Sequence, residues 1–308
     1  MSALSRPEFH SEAAAFAHLE KIVWENGPVC VHCGGVDRIT RVKANPAKRI
    51  REGLWRCGDC KRQFTVKVGT VFEHMRLPLH KAMQAVYLVT SSKKGISAHQ
   101  LHRTLEITYK SAWFLLHRIR EAMRSGDFTA FGGNGGVVEV DETFIGHLKG
   151  VPKRRAFHHK MKVLELLDRD SGQARTMVID DVKAETLMPI VLANVAREAR
   201  IMTDEHSGYR DAGKFFAGHC TTSHGKGEYV NLEDRTVHSN TVEGYFSIFK
   251  RGMKGVYQHC GEQHLHRYPA EFEFRYNNRE ALGCNDTDRS VAALSGIVGK
   301  RLTYAIPD

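Results

Sequence analysis

The chain has 308 residues, 42% of them hydrophobic, and a net charge of +10. That is enough apolar material for a sizeable core in two or three domains, and it excludes a disordered chain. No run of about 18 apolar residues occurs, which excludes a helical membrane span, and the N-terminus has no apolar leader, so a cytoplasmic location is expected.

The charge is lopsided. Residues 1–130 hold 21 Lys+Arg against 11 Asp+Glu, and residues 131–308 hold 24 of each. An excess confined to one portion points to a polyanionic partner, nucleic acid first among them; a merely solvated basic surface is the plainer alternative. Seven cysteines are present, four of them in two CxxC pairs. Without an export signal, metal binding is favoured over disulfides.

In chain order, residues 1–26 form an N-terminal helical arm, with a helix over "SEAAAFAHLEKIVW" and Phe16, Leu19, Val23 and Trp24 on one side. Residues 27–72 read as small hairpins punctuated by Gly, Pro and Asn. Cys30 and Cys33, then Cys57 and Cys60, place two tight turns in this stretch. Two such turns can close a tetrahedral Zn²⁺ site with four thiolates, which leaves no open position for catalysis. Arg49, Arg51, Lys61 and Arg62 belong to a dense basic set around it, suited to phosphate contact.

Residues 75–127 read as helical, broken at "KKGIS" and "EITYK". The second break has the length of a helix-turn-helix connection, with Ile96 to Leu105 as the first helix and Thr108 capping the second. Ala112, Leu115, Leu116, Ile119 and Met123 would be buried, leaving Tyr109 and Lys110 free to meet a groove. An ordinary helical bundle would give the same core pattern. "FTAFGGNGG" supplies a Gly-rich linker over residues 128–136. Residues 137–282 then alternate between strand-like and helix-like stretches, which predicts an α/β or α+β domain around a mixed sheet. A tail, residues 283–308, completes the chain.

Three acids in that second portion stand out. "VVEVDET" puts Asp141 and Glu142 on opposite faces of a strand, and "RIMTDEHSGY" is an apolar strand ending in Asp204 and Glu205. "VHSNTVEGYFSIFKRGMKG" reads as an amphipathic helix. Val242, Phe246, Phe249 and Met253 form its apolar stripe, and Glu243, Ser247, Lys250 and Lys254 form a second stripe about 100° round. Acids at strand ends and on a flanking helix can converge, and hard cations such as Mg²⁺ resolve the repulsion that follows. Lys250, Arg251 and Lys254 would then hold DNA phosphates. A competing reading makes Asn240 an N-cap and Glu243 the third residue of a capping box.

Taken together, "NGPVCVHCGG", "RCGDCKRQFTVKVGTVFE", "VEVDET", "TDEHSGY" and the segment from His238 to Glu280 resemble the bacterial insertion-sequence transposases of the DDE type, in the group with an N-terminal zinc ribbon. The likeness runs from about Gly27 to Arg279. It implies an RNase H-like catalytic domain with Asp141, Asp204 and Glu243 as ligands of Mg²⁺ or Mn²⁺. Asp141 would be shared between two ions, and His238 and Asn240 would support the site within an H-x-N-x-x-E pattern. It also implies that the ribbon and helical module bind terminal inverted repeats of double-stranded DNA. The catalytic domain would cut each element end and join the freed 3′-OH to target DNA, with two or more copies acting together. Some members of the group have Asn where this chain has Glu243. Two other readings of the same residues are a metal nuclease that cuts without joining, and a zinc-ribbon DNA-binding regulator with an inactive second domain.

Overall fold

The computed structural model describes residues 2–153, 157–222, 230–231 and 234–302. The chain forms two compact units. One comprises residues 1–124 together with 283–308, and the other comprises residues 125–282.

The first unit opens with α1 (Glu12–Val23), capped by Ser11, whose side chain accepts from Ala14 N. A three-stranded antiparallel sheet follows, made of β1 (Ile39–Arg41), β2 (Trp55–Cys57) and β3 (Gln63–Phe64). So small a sheet has little core of its own, and α1 lends it one. Trp24 meets Trp55 and Phe64 edge-on at 6.1 and 5.8 Å, and Trp55 Nε1 donates to Glu20 at 2.8 Å. The expected arm is therefore part of the ribbon's packing.

Next come α2 (Leu79–Ser91), α3 (Ala98–Leu105) and α4 (Tyr109–Met123). Ser97 caps α3 and Thr108 caps α4, accepting from Ser111 N at 3.2 Å. Glu106 turns the chain between them in a left-handed conformation. The five apolar residues expected inside α4 are all buried, but so are His117, Arg118 and Arg120, so α4 is covered on more sides than a simple amphipathic helix.

In the second unit, β4 (Val137–Ile145), β5 (Met161–Asp168) and β6 (Ala174–Ile179) form antiparallel neighbours. After α5 (Ala184–Asn194), β7 (Arg200–Asp204) and β8 (Gly218–Thr222) add to the other side of β4 in parallel. The sheet order is β6-β5-β4-β7-β8, the mixed arrangement of an RNase H-like domain. One face buries Val138, Val140, Leu164 and Ile201 with α5. The other carries α6 (Asn240–Gly252), a single π turn (Met253–Tyr257) and α7 (Arg267–Asn277). There Val163 and Leu167 pack with Val242, Phe246, Phe249 and Phe272.

Two expectations change. The Gly-rich run 128–136 is no free spacer: Phe131 is buried in the second unit's core and bridges to Val195. A Cβ at Gly132 would come within 2.5 Å of Ala199, and its φ of +72° favours glycine. The stretch after residue 282 is no loose tail either. It forms α8 (Asp286–Ser295), capped by Asn285, and returns to the first unit. Arg289 donates to Thr90 O at 3.0 Å, and Val71 N donates to Ile297 O at 3.2 Å.

Candidate active site and metal-binding cysteines

β4 and β7 run side by side, paired in register as Val138 with Ile201 and Glu139 with Met202. Carrying that register two residues on brings Asp141 level with Asp204, each on the face that α6 covers. In β5, Glu165 lies opposite Asp141. The parallel geometry thus delivers both aspartates to one side of the sheet, and the helix delivers the third acid.

Asp141, Asp204, Glu243, Phe246, Ser247 and Lys250 line one cleft of ≈ 370 Å³. Glu243, Ser247 and Lys250 of the polar stripe expected on α6 line this cleft, while its apolar stripe enters the core. Burial, then the nearby charges of Glu142 and Asp204, push the Asp141 carboxyl up to about 7; Lys250 pulls the other way. Glu142, on the opposite face, is likewise raised to about 7, mainly by burial, and accepts from Tyr209 Oη at 2.6 Å. Main-chain N–H groups steady the aspartates: Glu142 N donates to Asp141 at 2.8 Å and His206 N to Asp204 at 3.0 Å.

Glu243 is not the third residue of a capping box. The helix starts one residue earlier than that reading needs, with Ser239 at the N-cap, and Ser239 makes no side-chain cap bond. The cap comes from β4 instead. Glu139, fully buried, accepts from Val242 N at 2.8 Å and from Thr241 Oγ1 at 2.7 Å. A carboxylate at a helix N-terminus is favoured by both the free N–H groups and the helix dipole. Arg169 balances the charge, donating from Nε to Glu139 at 2.6 Å and from its terminal nitrogens to Thr236 O and His238 O, each at 2.6 Å. His238 joins this network through Nδ1, 2.9 Å from Arg169. Burial and Arg169 hold its imidazole below the usual range, against Glu139. Asn240 is exposed at the start of α6.

Glu139 and Arg169 were not picked out by the sequence reading. Glu139 did leave a signal: it precedes Asp141 by two positions and so shares its face of the strand.

Of the basic candidates, Lys250 reaches the acid cleft and Arg251 folds back on its own helix, donating to Ser247. Lys254 lines an adjoining groove. Arg49, Lys61, Arg62 and Lys110 are exposed in the first unit. Tyr109 is exposed there too, with its ring 4.4 Å from that of His99. Arg51 lines a separate cleft of ≈ 710 Å³ in that unit.

The four cysteines converge as expected. Their sulfurs all lie within 4.8 Å of one another, with Cys30–Cys60 and Cys33–Cys57 at 3.6 Å. A disulfide needs about 2.05 Å. Tetrahedral Zn²⁺ with bonds of about 2.3 Å spaces its sulfurs about 3.8 Å apart, so the set fits zinc. Trp24, Ile39, Trp55, Phe64 and Val68 surround it.

The mixed sheet order, with helices on both faces, gives the second unit the fold of an RNase H-like domain. More narrowly, the chain belongs to the insertion-sequence transposases that join a zinc ribbon to such a domain. Residues 134–277 match the ISXO2-like transposase domain, and residues 10–63 match the transposase zinc-ribbon domain. The ribbon match begins just before α1 and so includes it, in keeping with the packing of Trp24. The chain is 29% identical over 296 residues to an uncharacterized protein in transposable element ISH50 of Halobacterium salinarum, across 89% of this chain and 95% of that one. Among solved structures, a chain of the simian T-cell lymphotropic virus intasome in complex with PP2A regulatory subunit B56 gamma aligns at 14% identity. The alignment covers 61% of this chain and 64% of that one, so less than two thirds of its length, and the TM-score of 0.28 is too low to support any argument. Among the described residues no helix is long and apolar enough to cross a membrane.

Proposed function

We propose that this transposase binds the terminal inverted repeats of its element, hydrolyses a phosphodiester at each end, and joins the freed 3′-OH to target DNA. Asp141, Asp204 and Glu243 are the catalytic carboxylates. The observation that carries this reading is their convergence, with Lys250, on one cleft.

The cleft suits Mg²⁺ or Mn²⁺. Its donors are hard carboxylate oxygens, and burial first, then the charges of Glu142 and Asp204, push Asp141 upward, a cost that a bound cation would relieve. Asp141, Asp204 and Glu243 would hold the cation, which would sharpen a water or hydroxyl nucleophile and offset charge on the leaving oxygen. The protein's own groups do the rest. Asp141 and Asp204 are fixed on adjacent rigid strands, with backbone N–H groups aiming their oxygens. Glu139 and Arg169 pin the start of α6 and so set where Glu243 points. Lys250 contributes a positive charge at the cleft for the scissile phosphate. The ribbon's structural zinc fixes the basic loops of the first unit, which contact the DNA backbone, and two copies handle the two ends together.

The test incubates the full chain with duplex DNA carrying the repeats that flank its gene, in Mg²⁺ or Mn²⁺, and maps cuts and joints. Cuts at the repeat ends joined to a second duplex are expected, and Asp141→Asn, Asp204→Asn and Glu243→Gln should each abolish both. Cuts without joints would leave a metal nuclease; binding without cuts would leave a DNA-binding protein.

A further inference from the structure

The acid cleft opens toward a second groove. Lys250 lines both, and the groove has a volume of ≈ 520 Å³. One wall is the end of β4, from Glu142 to Gly146. The ladder between β4 and β7 covers only Val137 to Glu139, so among the described residues this part of β4 has no strand beside it on that side. The other wall is the end of α6 and the π turn, where Met253 and Lys254 face the groove.

An aromatic platform lies between the walls. Phe157 is 50% exposed, although most large apolar side chains of this unit are buried. It stacks on Phe144 with centroids 4.6 Å apart and planes 22° from parallel. Lys160 Nζ lies 4.9 Å from the Phe157 centroid. Lys160, Lys250 and Lys254 make the groove cationic, while the acid among its lining residues, Glu142, is tied to Tyr209.

An exposed ring flanked by lysines suits a ligand with a flat π face and attached anionic groups. A nucleotide has both. Stacking on an aromatic side chain accepts any base, and the lysines match its phosphates. The volume falls in the range of a small-ligand site. An intact duplex stacks its bases on each other and offers none of them to Phe157, so the groove selects an unpaired one.

We propose that this groove seats an unpaired nucleobase of the DNA strand whose phosphodiester occupies the acid cleft, with the base on Phe157 and its phosphates on Lys160 and Lys254. The proposal rests on the reading of Asp141, Asp204 and Glu243 as the cutting site. Its consequence is that the element end is frayed when it is cut, and that sequence-tolerant stacking holds it so.

The probe is a DNA duplex with a short single-stranded overhang carrying 2-aminopurine, compared with the same duplex made blunt, on the full-length protein without added divalent cation. Stacking quenches the overhang's emission. Phe157→Ala should weaken overhang binding about tenfold, leave blunt-duplex binding unchanged and abolish the quenching. Phe157→Trp should restore both. Phe157 is half-exposed, so the variant should fold, and an unchanged melting temperature would show it. Equal loss on both DNAs, or no loss of quenching in Phe157→Ala, would overturn the proposal. Asp204→Asn is run alongside in the cutting assay. If it still cuts while Phe157 behaves as expected, the acid reading fails and base seating stands; if it stops cutting while Phe157→Ala changes nothing, the reverse holds.

Discussion

Glu139 is the residue on which the proposed site leans without being part of it. Its carboxylate is fully buried, caps α6 through Val242 N and Thr241 Oγ1, and pairs with Arg169. Replacement by Ala removes a helix cap, typically about 1 kcal/mol, and leaves Arg169 with a charge it no longer balances, typically about 3 kcal/mol or more. Glu139→Ala should therefore lower the stability of the second unit by roughly 3–5 kcal/mol in urea unfolding. Glu139→Gln keeps an acceptor for Val242 N and should lose less. Because α6 also aims Glu243, Glu139→Gln should raise the Mn²⁺ concentration needed for half-maximal cutting by about tenfold, the usual cost of removing a supporting group. A Glu139→Gln protein with unchanged metal dependence would reduce Glu139 to a stability role.

At the scale of elements, the ribbon shows how covalent chemistry substitutes for core. β1, β2 and β3 contribute only eight residues, and their apolar cluster is built around the cysteines themselves. Removing one thiolate should unfold the stretch from residue 28 to 70, because metal binding energy is folding energy in so small a module. Cys57→Ser is thus expected to lose its zinc and its specific DNA binding together; full zinc stoichiometry by metal analysis in that variant would refute this. Elements of this kind were legible in the sequence because each has a local signature. CxxC spacing marked the ribbon turns, Thr108 marked the start of α4, and the two stripes of α6 were visible as a 100° offset. What was not legible depends on which element lands on which. Parallel pairing of β4 with β7 brings Asp141 level with Asp204, and no spacing along the chain encodes that. Glu139 takes over the cap of α6 from a residue about a hundred positions away, so the local "NTVE" pattern suggested a capping box that tertiary packing had made unnecessary. Phe131 looked like part of a linker because four glycines follow it closely, yet two of them, Gly132 and Gly136, are where the backbone passes too close to its neighbours for a side chain.

At the scale of the whole molecule, sequence order and spatial grouping part company. The chain leaves the first unit near residue 124, builds the second, and returns with α8 to finish the first. That return is structural. Leu294 and Ile297 are buried, Arg289 reaches Thr90 O, and Lys300 Nζ donates to Ala122 O at 2.9 Å and Arg124 O at 2.7 Å. Burying two such side chains contributes roughly 1.5–3 kcal/mol each, before the hydrogen bonds are added. A small domain has only about 5–15 kcal/mol in total, so α8 holds a large share of the first unit's stability. A chain ending at Leu282 keeps every residue of both family matches, and reasoning from those matches alone would call it intact. The structure predicts otherwise. With α8 gone, the part of α2 that packs against it is uncovered, and trypsin should cut within residues 79–124 far faster than in the full chain, while fragments spanning the second unit persist. Adding back a synthetic peptide of residues 283–302 should slow that cleavage, because the peptide can reoccupy the face of α2. Equal protease resistance of the full and shortened chains would mean that α8 only decorates a unit already complete without it.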